Sequence, residues 1–265
     1  MIKTFYKPTS LEEALLLKEK HENLVAWFAG GTHINHFEFK AHYDQVISLE
    51  GLGLFFIHTK TNQTSVGAMV TLQKLADNSL IPECLRWAAF MAAPRTIRNM
   101  ATVGGDIATG GKGTRLTPCL MALNAVVETA DGKTQPIEDY VSQDSKELIL
   151  KIIIPSSEII CVAKQLTLKA NGPVLASTAV SMKKTEDPDL KDVVVAIGTI
   201  EGVPRRLEEI EKGVIDQTLA DRESIEKAVA DVLNPESDQF GSRDYKKHIT
   251  SVAIADSIIS CLERG

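Results

Sequence analysis

The amino-acid sequence predicts an α+β fold: a small parallel α/β unit, then a mixed region, then a sheet packed with helices. Two patterns predict this order. Over residues 1–52, short apolar segments alternate with a helical segment and a glycine pair, which is typical of a parallel α/β unit. After Pro155, three strand-like segments precede three helical ones, as in a sheet with its helices on one side. The chain of 265 residues is 44% hydrophobic, enough to bury the core that this fold needs.

The first unit begins with a helix that carries a clear start signal. Ser10 and Glu13 form a capping-box pattern, and apolar residues follow at helical spacing. The predicted elements are a helix at 10–21, a strand at 24–29, a short helix from Thr32 toward Phe39 and a strand at 45–49.

The second region, residues 53–155, contains two predicted hairpins. One turns at 60–63, and the other turns at Asp131-Gly132, a dipeptide that favours tight turns. The predicted elements are strands at 54–59 and 64–69, helices at 71–76, 82–91 and 115–124, and strands at 125–129, 133–137 and 147–154.

The third region follows a predicted linker at 155–158. Turn residues at 171–173 and 186–189 separate its strand candidates. The predicted elements are strands at 161–169, 174–184 and 192–200, and helices at 206–212, 218–233 and 243–262. In the last helix, Tyr245 is expected to pack inward while Lys246 and Lys247 face solvent.

Composition and charge exclude several classes of partner. The net charge is −6 and the basic residues are scattered, so nucleic acid is not expected to bind. No apolar run approaches the roughly 20 residues of a membrane span, and the N-terminus lacks the pattern of a secretory leader. A cytoplasmic location is therefore expected.

The four cysteines predict no metal site. They are far apart in the chain and form no Cys-x-x-Cys pair, so buried, reduced thiols are expected. They are Cys84, Cys119, Cys161 and Cys261.

Two glycine pairs are the most informative features of the chain. Gly30-Gly31 lies in the segment 27–33, and Gly104-Gly105 lies in the segment 101–111, each with a threonine nearby. Glycine lets backbone N–H groups approach a ligand closely, which suits an anionic pyrophosphate. Two such pairs favour a cradle for a dinucleotide, although either pair alone is also typical of an ordinary turn.

Several motifs resemble the FAD-binding medium subunit of the molybdenum hydroxylases, a family that includes the xanthine dehydrogenase and carbon monoxide dehydrogenase flavoproteins. The matching segments are Phe28-Ala-Gly-Gly-Thr32, Ile97-Arg-Asn99, Ala101-Thr-Val-Gly-Gly105 and Ile107-Ala-Thr109. Softer matches at Gly198, Pro204-Arg205 and Gly241–Lys246 extend the resemblance over nearly the whole chain. The resemblance implies a two-part FAD-binding domain of the PCMH type at 1–155, divided at about 52, and a C-terminal flavoprotein domain at 159–265. That second domain would combine an antiparallel sheet with a helical bundle.

The resemblance also implies which residues hold FAD. Gly30, Gly31 and Thr32 would donate backbone N–H groups to the pyrophosphate, Thr102 would offer a hydroxyl, and Gly105 would permit close approach. The implied cofactor-binding residues are Trp27, Phe28, Ala29, Gly30, Gly31, Thr32, His33, Thr102, Gly105, Asp106 and Ala108. The resemblance implies no catalytic side chain and no metal ligand in this chain.

The implied function is that of an oxidoreductase subunit in electron transfer. Electrons would come from a molybdenum-cofactor large subunit, cross the two-iron two-sulfur clusters of a small subunit and reach FAD here. NAD⁺ or another acceptor would receive them.

Two departures from the family pattern leave alternatives open. Asp106 stands where the family commonly has Asn, and Gly111–Arg115 replaces the usual Ser-Pro-x-Ser-Asp. A negative charge at position 106 would weaken the binding of phosphates, whereas Arg115 could offset it. The alternative functions are a flavin-free scaffold or assembly subunit and a free-standing FAD-dependent oxidase.

Arg98 has two interpretations. It could steer an anion toward the second glycine pair, or it could brace the loop by bonding backbone carbonyls.

Overall fold

A computed structural model describes residues 2–21, 24–35, 43–110, 115–143, 147–155, 159–168, 174–183 and 192–264. The strands are β1 Thr4–Tyr6, β2 Val25–Phe28, β3 Gln45–Ser48, β4 Ile57–Lys60, β5 Gln63–Gly67, β6 Val126–Thr129, β7 Thr134–Pro136, β8 Ile149–Pro155, β9 Ile159–Thr167, β10 Val174–Lys183, β11 Val193–Gly198 and β12 Arg205–Arg206. The helices are α1 Leu11–His21, α2 Leu72–Asp77, α3 Glu83–Ala92, α4 Arg95–Arg98, α5 Val103–Thr109, α6 Thr117–Ala122, α7 Ile137–Val141, α8 Glu208–Ile215, α9 Arg222–Val232 and α10 Arg243–Arg264, with a short 3-10 helix at Glu50–Leu52.

The first sheet is the predicted small parallel α/β unit. Its strand order is β1-β3-β2, and both outer strands run parallel to β3. Ser10 caps the start of α1 as predicted, since the N–H of Glu13 donates to its Oγ, while the Glu13 carboxylate accepts from the N–H of Thr9 rather than from that of Ser10. Ala14 of α1 packs between Val25 and Ile47 of the sheet. This small core fixes the end of β2, where the first glycine pair follows.

The second sheet is antiparallel, with the strand order β4-β5-β8-β6-β7. Both predicted hairpins are confirmed, since β4 pairs with β5 and β6 pairs with β7. The helices between the two hairpins pack against this sheet and contribute the largest share of the largest buried cluster. The second glycine pair lies among these helices.

The third sheet is antiparallel, with the strand order β12-β11-β10-β9, and it lies between two layers of helices. One face of β9 turns Ile159, Cys161 and Ala163 toward the helices of the second region. The opposite face turns Val162 and Leu166 toward the core that α8, α9 and α10 complete. The predicted α+β fold is therefore confirmed.

Some element bounds differ from those predicted. The strand predicted at 133–137 stops at Pro136, and Ile137 begins α7. The helix predicted at 206–212 starts at Glu208, because Arg205 and Arg206 pair with β11 instead. The helix predicted from Thr32 is a turn as far as Asn35, and the rest of it lies outside the described residues, as do the turns at 171–173 and 186–189.

No helix in the described part of the chain is long and apolar enough to cross a bilayer.

Candidate functional site

The first glycine pair lies in a turn that directly follows β2. Gly31 has a φ of 71°, a left-handed backbone conformation that favours glycine. A Cβ at this position would also lie 2.6 Å from Cζ of Phe28. The N–H of Asn35 donates to the carbonyl of Gly31 over 3.1 Å and closes the turn. The local shape of the chain therefore requires glycine at position 31.

This turn presents backbone donors. Among the residues that the structure describes, no protein acceptor bonds the N–H groups of Gly30, Gly31 or Thr32. All three residues are half-buried, and His33, which follows them, is exposed. Successive N–H groups around a left-handed residue form a concave arrangement that binds anions. The donor chemistry of the turn therefore fits a diphosphate.

The second glycine pair forms the start of helix α5. Oγ1 of Thr102 accepts a hydrogen bond of 3.1 Å from the N–H of Gly105, which makes Thr102 the N-cap. The N–H of Val103 donates to the carbonyl of Val70, and the N–H of Gly104 donates to that of Ala68, both over 2.9 Å. The first amides of α5 are thus bonded within the protein, and Thr102, at 3% exposure, is buried.

The two glycines of this pair have different surroundings. A Cβ at Gly104 would lie 2.7 Å from the Cβ of Ala68, so this glycine permits close packing. A Cβ at Gly105 would meet only Oγ1 of Thr102 within 4 Å. Gly105 is half-buried and Ala108, one turn later, is exposed. One side of α5 is therefore open beside Gly105.

The fold brings the two glycine segments into direct contact. A Cβ at Gly30 would lie 1.7 Å from the carbonyl oxygen of Met100, the residue just before the second segment. The carbonyl of Ala101 in turn accepts from the N–H of Leu72 over 2.9 Å, which ties this strand-like stretch to the start of α2. Two segments far apart in the sequence therefore lie side by side, as the dinucleotide cradle requires.

Asp106 is bonded to the backbone of the chain that leads into α6. Its Oδ2 accepts from the N–H of Arg115 over 3.3 Å and from the N–H of Leu116 over 3.2 Å. Burial raises the pKa of this carboxyl to about 6, against the opposing effects of the two N–H groups and of the Arg115 guanidinium. Burial likewise lowers the pKa of Arg115, and the negative charge of Asp106 opposes that shift.

Arg98 braces the chain before the second glycine pair. Its side chain donates to the carbonyls of Phe90 over 2.5 Å and Ala93 over 2.8 Å, and to Oε1 of Gln73 over 2.9 Å. The guanidinium lies 4.5 Å from the centre of the Phe90 ring. Arg98 is only 7% exposed, so the bracing interpretation is confirmed.

Three of the four cysteines converge, which the sequence did not predict. The Sγ atoms of Cys84, Cys119 and Cys161 all lie within 4.8 Å of one another. Hydrogen bonds from the other two thiols hold the pKa of Cys84 well below its ordinary value, because they stabilise its thiolate. All four cysteines are free thiols, as expected, although Cys84 and Cys161 are only half-buried. The convergence has no pattern in the sequence, because the three residues lie on three elements that are far apart in the chain.

Residues 1–157 match the protein family described as "FAD binding domain in molybdopterin dehydrogenase". The chain belongs to this family. Its cofactor is accordingly FAD, and it is an oxidoreductase flavoprotein subunit of the molybdenum hydroxylase type.

Relatives of this FAD-binding chain align with it over most of its length. The Escherichia coli (strain K12) protein YgfM is 33% identical over 265 residues, which cover 100% of this chain and 98% of YgfM. The glyceraldehyde dehydrogenase medium chain of Sulfolobus acidocaldarius is 26% identical to this chain. The alignment covers 94% of each of the two proteins. A rice xanthine dehydrogenase is 27% identical over 78% of this chain, but over only 17% of its own length.

Solved structures share the fold over the whole chain. A carbon monoxide dehydrogenase chain from Hydrogenophaga pseudoflava has a TM-score of 0.88 at 21% identity, covering 100% of this chain and 98% of its own. A chain of quinoline 2-oxidoreductase from Pseudomonas putida 86 has a TM-score of 0.85 at 19% identity, with the same coverage.

Proposed function

We propose that this FAD-binding chain relays electrons within a multi-subunit molybdenum hydroxylase. Its partners would be a large subunit with the molybdenum cofactor and a small subunit with two-iron two-sulfur clusters, and NAD⁺ or another acceptor would receive the electrons. Two relatives support this division of labour. One is named a medium chain, and the other is a longer protein in which the matching segment is a small part. The expected cytoplasmic location stays a prediction.

The observation that carries the proposal is the pair of glycine segments in contact. The N–H groups of Gly30, Gly31 and Thr32 would bind the pyrophosphate, since no described protein group accepts from them. When bound, FAD supplies the redox chemistry that the side chains of this chain lack. The protein therefore has to hold the cofactor, orient it and set the charge around it.

The remaining predicted residues divide into lining and positioning groups. Trp27, Phe28, Ala29 and His33 flank the first turn, and Gly105 and Ala108 lie along the open side of α5. Thr102 acts as a positioning residue, because its buried hydroxyl caps α5. Asp106 also acts through the backbone, since its carboxylate bonds the chain that leads into α6.

The Gly105→Val variant tests this assignment. The new side chain would lie on the open side of α5, but its Cβ would approach Oγ1 of Thr102 to 2.9 Å, so the capping hydroxyl has to shift while no other group within 4 Å is displaced. We expect FAD affinity to fall at least about tenfold, because losing close backbone contact with a ligand costs more than about 1.4 kcal/mol. Flavin fluorescence during titration with FAD measures the affinity, and circular dichroism checks the fold.

Anaerobic addition of NADH to the FAD-loaded wild-type chain tests the proposed acceptor. Bleaching of the flavin absorbance is expected if NAD⁺ is that acceptor. Two outcomes would contradict the proposal at different levels. A folded Gly105→Val chain with normal FAD affinity would contradict the assignment of the glycine segments as the FAD-binding site. A wild-type chain that stays colourless after incubation with FAD would contradict the relay altogether.

A further inference from the structure

Three cysteine thiols meet where the helices of the second region pack against the third sheet. Cys84 lies on α3, Cys119 on α6 and Cys161 on β9. Their Sγ atoms lie within 4.8 Å of one another. Cys119 is 1% exposed, and the other two residues are half-buried. The cluster is therefore covered by the protein but lies within reach of a small ion.

We propose that Cys84, Cys119 and Cys161 bind one soft, thiolate-seeking cation, zinc. Three sulfurs that surround zinc at about 2.3 Å in tetrahedral geometry lie about 3.8 Å apart, so a small inward movement completes the site. A disulfide would need two of these sulfurs to approach to about 2.05 Å, a much larger change. The spacing of the cluster thus favours a shared ion over a covalent bond between two thiols.

The charge of the site favours zinc over univalent copper. Three thiolates carry three negative charges, so zinc leaves one uncompensated charge and univalent copper leaves two. Because an uncompensated charge is costly to bury, the site with the smaller net charge, the zinc site, is favoured. No fourth histidine, cysteine or carboxylate joins the cluster in the described ranges, so water would complete the tetrahedron. Binding releases the protons that the thiols still hold, and no electron is transferred.

The site would join three elements that otherwise meet through apolar packing and, between β9 and α3, the hydrogen bond that Nε2 of Gln165 donates to the carbonyl of Ala88. An ion shared by α3, α6 and β9 would tie the second region to the third sheet. This role goes beyond the proposed electron relay, since it requires neither FAD nor a partner subunit.

Zinc loading of the whole chain tests the site. The purified, reduced chain is incubated with zinc chloride, desalted and analysed for metal by mass spectrometry. We expect about one zinc per wild-type chain, and at least a tenfold lower content in Cys84→Ala and Cys161→Ala. Cys261→Ala is the matched control, because Sγ of Cys261 contacts the carbonyl of Val180 and lies outside the cluster. This control should retain its zinc.

A second measurement needs no variant. Zinc should slow alkylation of Cys84 and Cys161 in the wild-type chain, and peptide mass spectrometry locates the modified thiols. Wild-type protein that retains less than a tenth of an equivalent of zinc would overturn the proposal. So would equal zinc in the Cys84→Ala chain, or a mass lower by two hydrogens that reveals a disulfide instead.

Discussion

At the scale of single residues, Asp106 shows how the fold accommodates a departure from the family pattern. Its carboxylate has two backbone N–H partners, on Arg115 and Leu116, and it faces the charge of the Arg115 side chain. The acidic residue that raised the alternative of a flavin-free scaffold therefore has a structural role. Asn could accept the same two hydrogen bonds through its side-chain oxygen, without a charge.

The Asp106→Asn variant should be more stable than the wild type near neutral pH. Burial raises the pKa of Asp106 from 3.8 to about 6, so the folded chain holds the proton more tightly than the unfolded chain. The contribution of the Asp106 proton to the free energy of unfolding is fully present below pH 3.8. It is lost as the pH rises through about 6. The loss is at most about 3 kcal/mol, and the variant does not suffer it. Urea denaturation at pH 4 and pH 7 measures the difference.

The sign of the pH dependence makes this prediction specific. The advantage of Asp106→Asn over wild type should grow between pH 4 and pH 7. A variant that is less stable than wild type at pH 7 would show that the ionised carboxylate stabilises the fold.

At the scale of elements, Arg98 links the end of α3 to the approach of the second glycine segment. The carbonyls of Phe90 and Ala93 have no helical partner at the end of α3, and the planar guanidinium satisfies both. Oε1 of Gln73 adds the hydrogen bond to α2. One buried side chain thus holds three short helices, α2, α3 and α4, in register.

Arg98→Lys should destabilise the chain by about 2 kcal/mol, because lysine keeps the charge but cannot reach both carbonyls and Gln73 in one geometry. The free energy of unfolding, from urea denaturation, checks this value. Arg95→Lys on the same helix is the control, since Arg95 is exposed and its substitution should cost less than about 0.5 kcal/mol. An equal decrease in the free energy of unfolding for the two variants would contradict the bracing role of Arg98.

Local patterns predicted the elements that carry their own signals. The capping-box pattern at Ser10 and the turn residues Asp131-Gly132 each involve only residues that are close in the sequence. Helix α1 and the β6–β7 hairpin are therefore predictable. The sequence does not predict strand β1, because this strand has only three residues and depends on pairing with β3. The sequence does not predict helix α5, because Gly104-Gly105 disfavours a helix, and the contacts that stabilise it are the cap by Thr102, the N–H bonds to Val70 and Ala68 and the packing of Gly104 against Ala68.

Other features cannot be predicted from local sequence patterns, because they depend on tertiary contacts. Tyr245 is 43% exposed and Lys246 is 5% exposed, which reverses the prediction for the start of α10. The ammonium of Lys246 is satisfied by the carboxylate of Asp238 and the carbonyl of Glu236. The cysteine cluster likewise has no local pattern, because each thiol comes from a different element. The glycine pairs are predictable from the sequence, because both the glycines and the threonine near each pair are visible in it.

At the scale of the whole molecule, the two predicted domains share buried surface. Ala179 of β10 and Ala196 of β11 belong to the same buried cluster as the helices of the second region. Hydrogen bonds cross the boundary, because Oγ of Ser181 donates to the carbonyl of Ala122 and the N–H of Arg206 donates to the Glu138 carboxylate. The division into 1–155 and 159–265 stays a prediction: the second part has a buried cluster of its own, but the cluster of the first part extends across the boundary into β10 and β11.

A shared core predicts that the chain unfolds as one unit. Removing residues 158–265 would expose the faces of α3 and α6 that the third sheet covers, including Cys119 and Leu120, which are 1% and 0% exposed in the intact chain. A fragment of residues 1–157 should therefore aggregate or lose its cooperative transition, since exposed apolar patches of this kind favour association. Urea denaturation followed by circular dichroism and by hydrogen exchange of β6 and β10 should give one coincident transition for the intact chain. Two separate transitions, or a soluble 1–157 fragment that unfolds cooperatively, would contradict this prediction. Either result would mean that α3 and α6 do not need the third sheet for a stable fold.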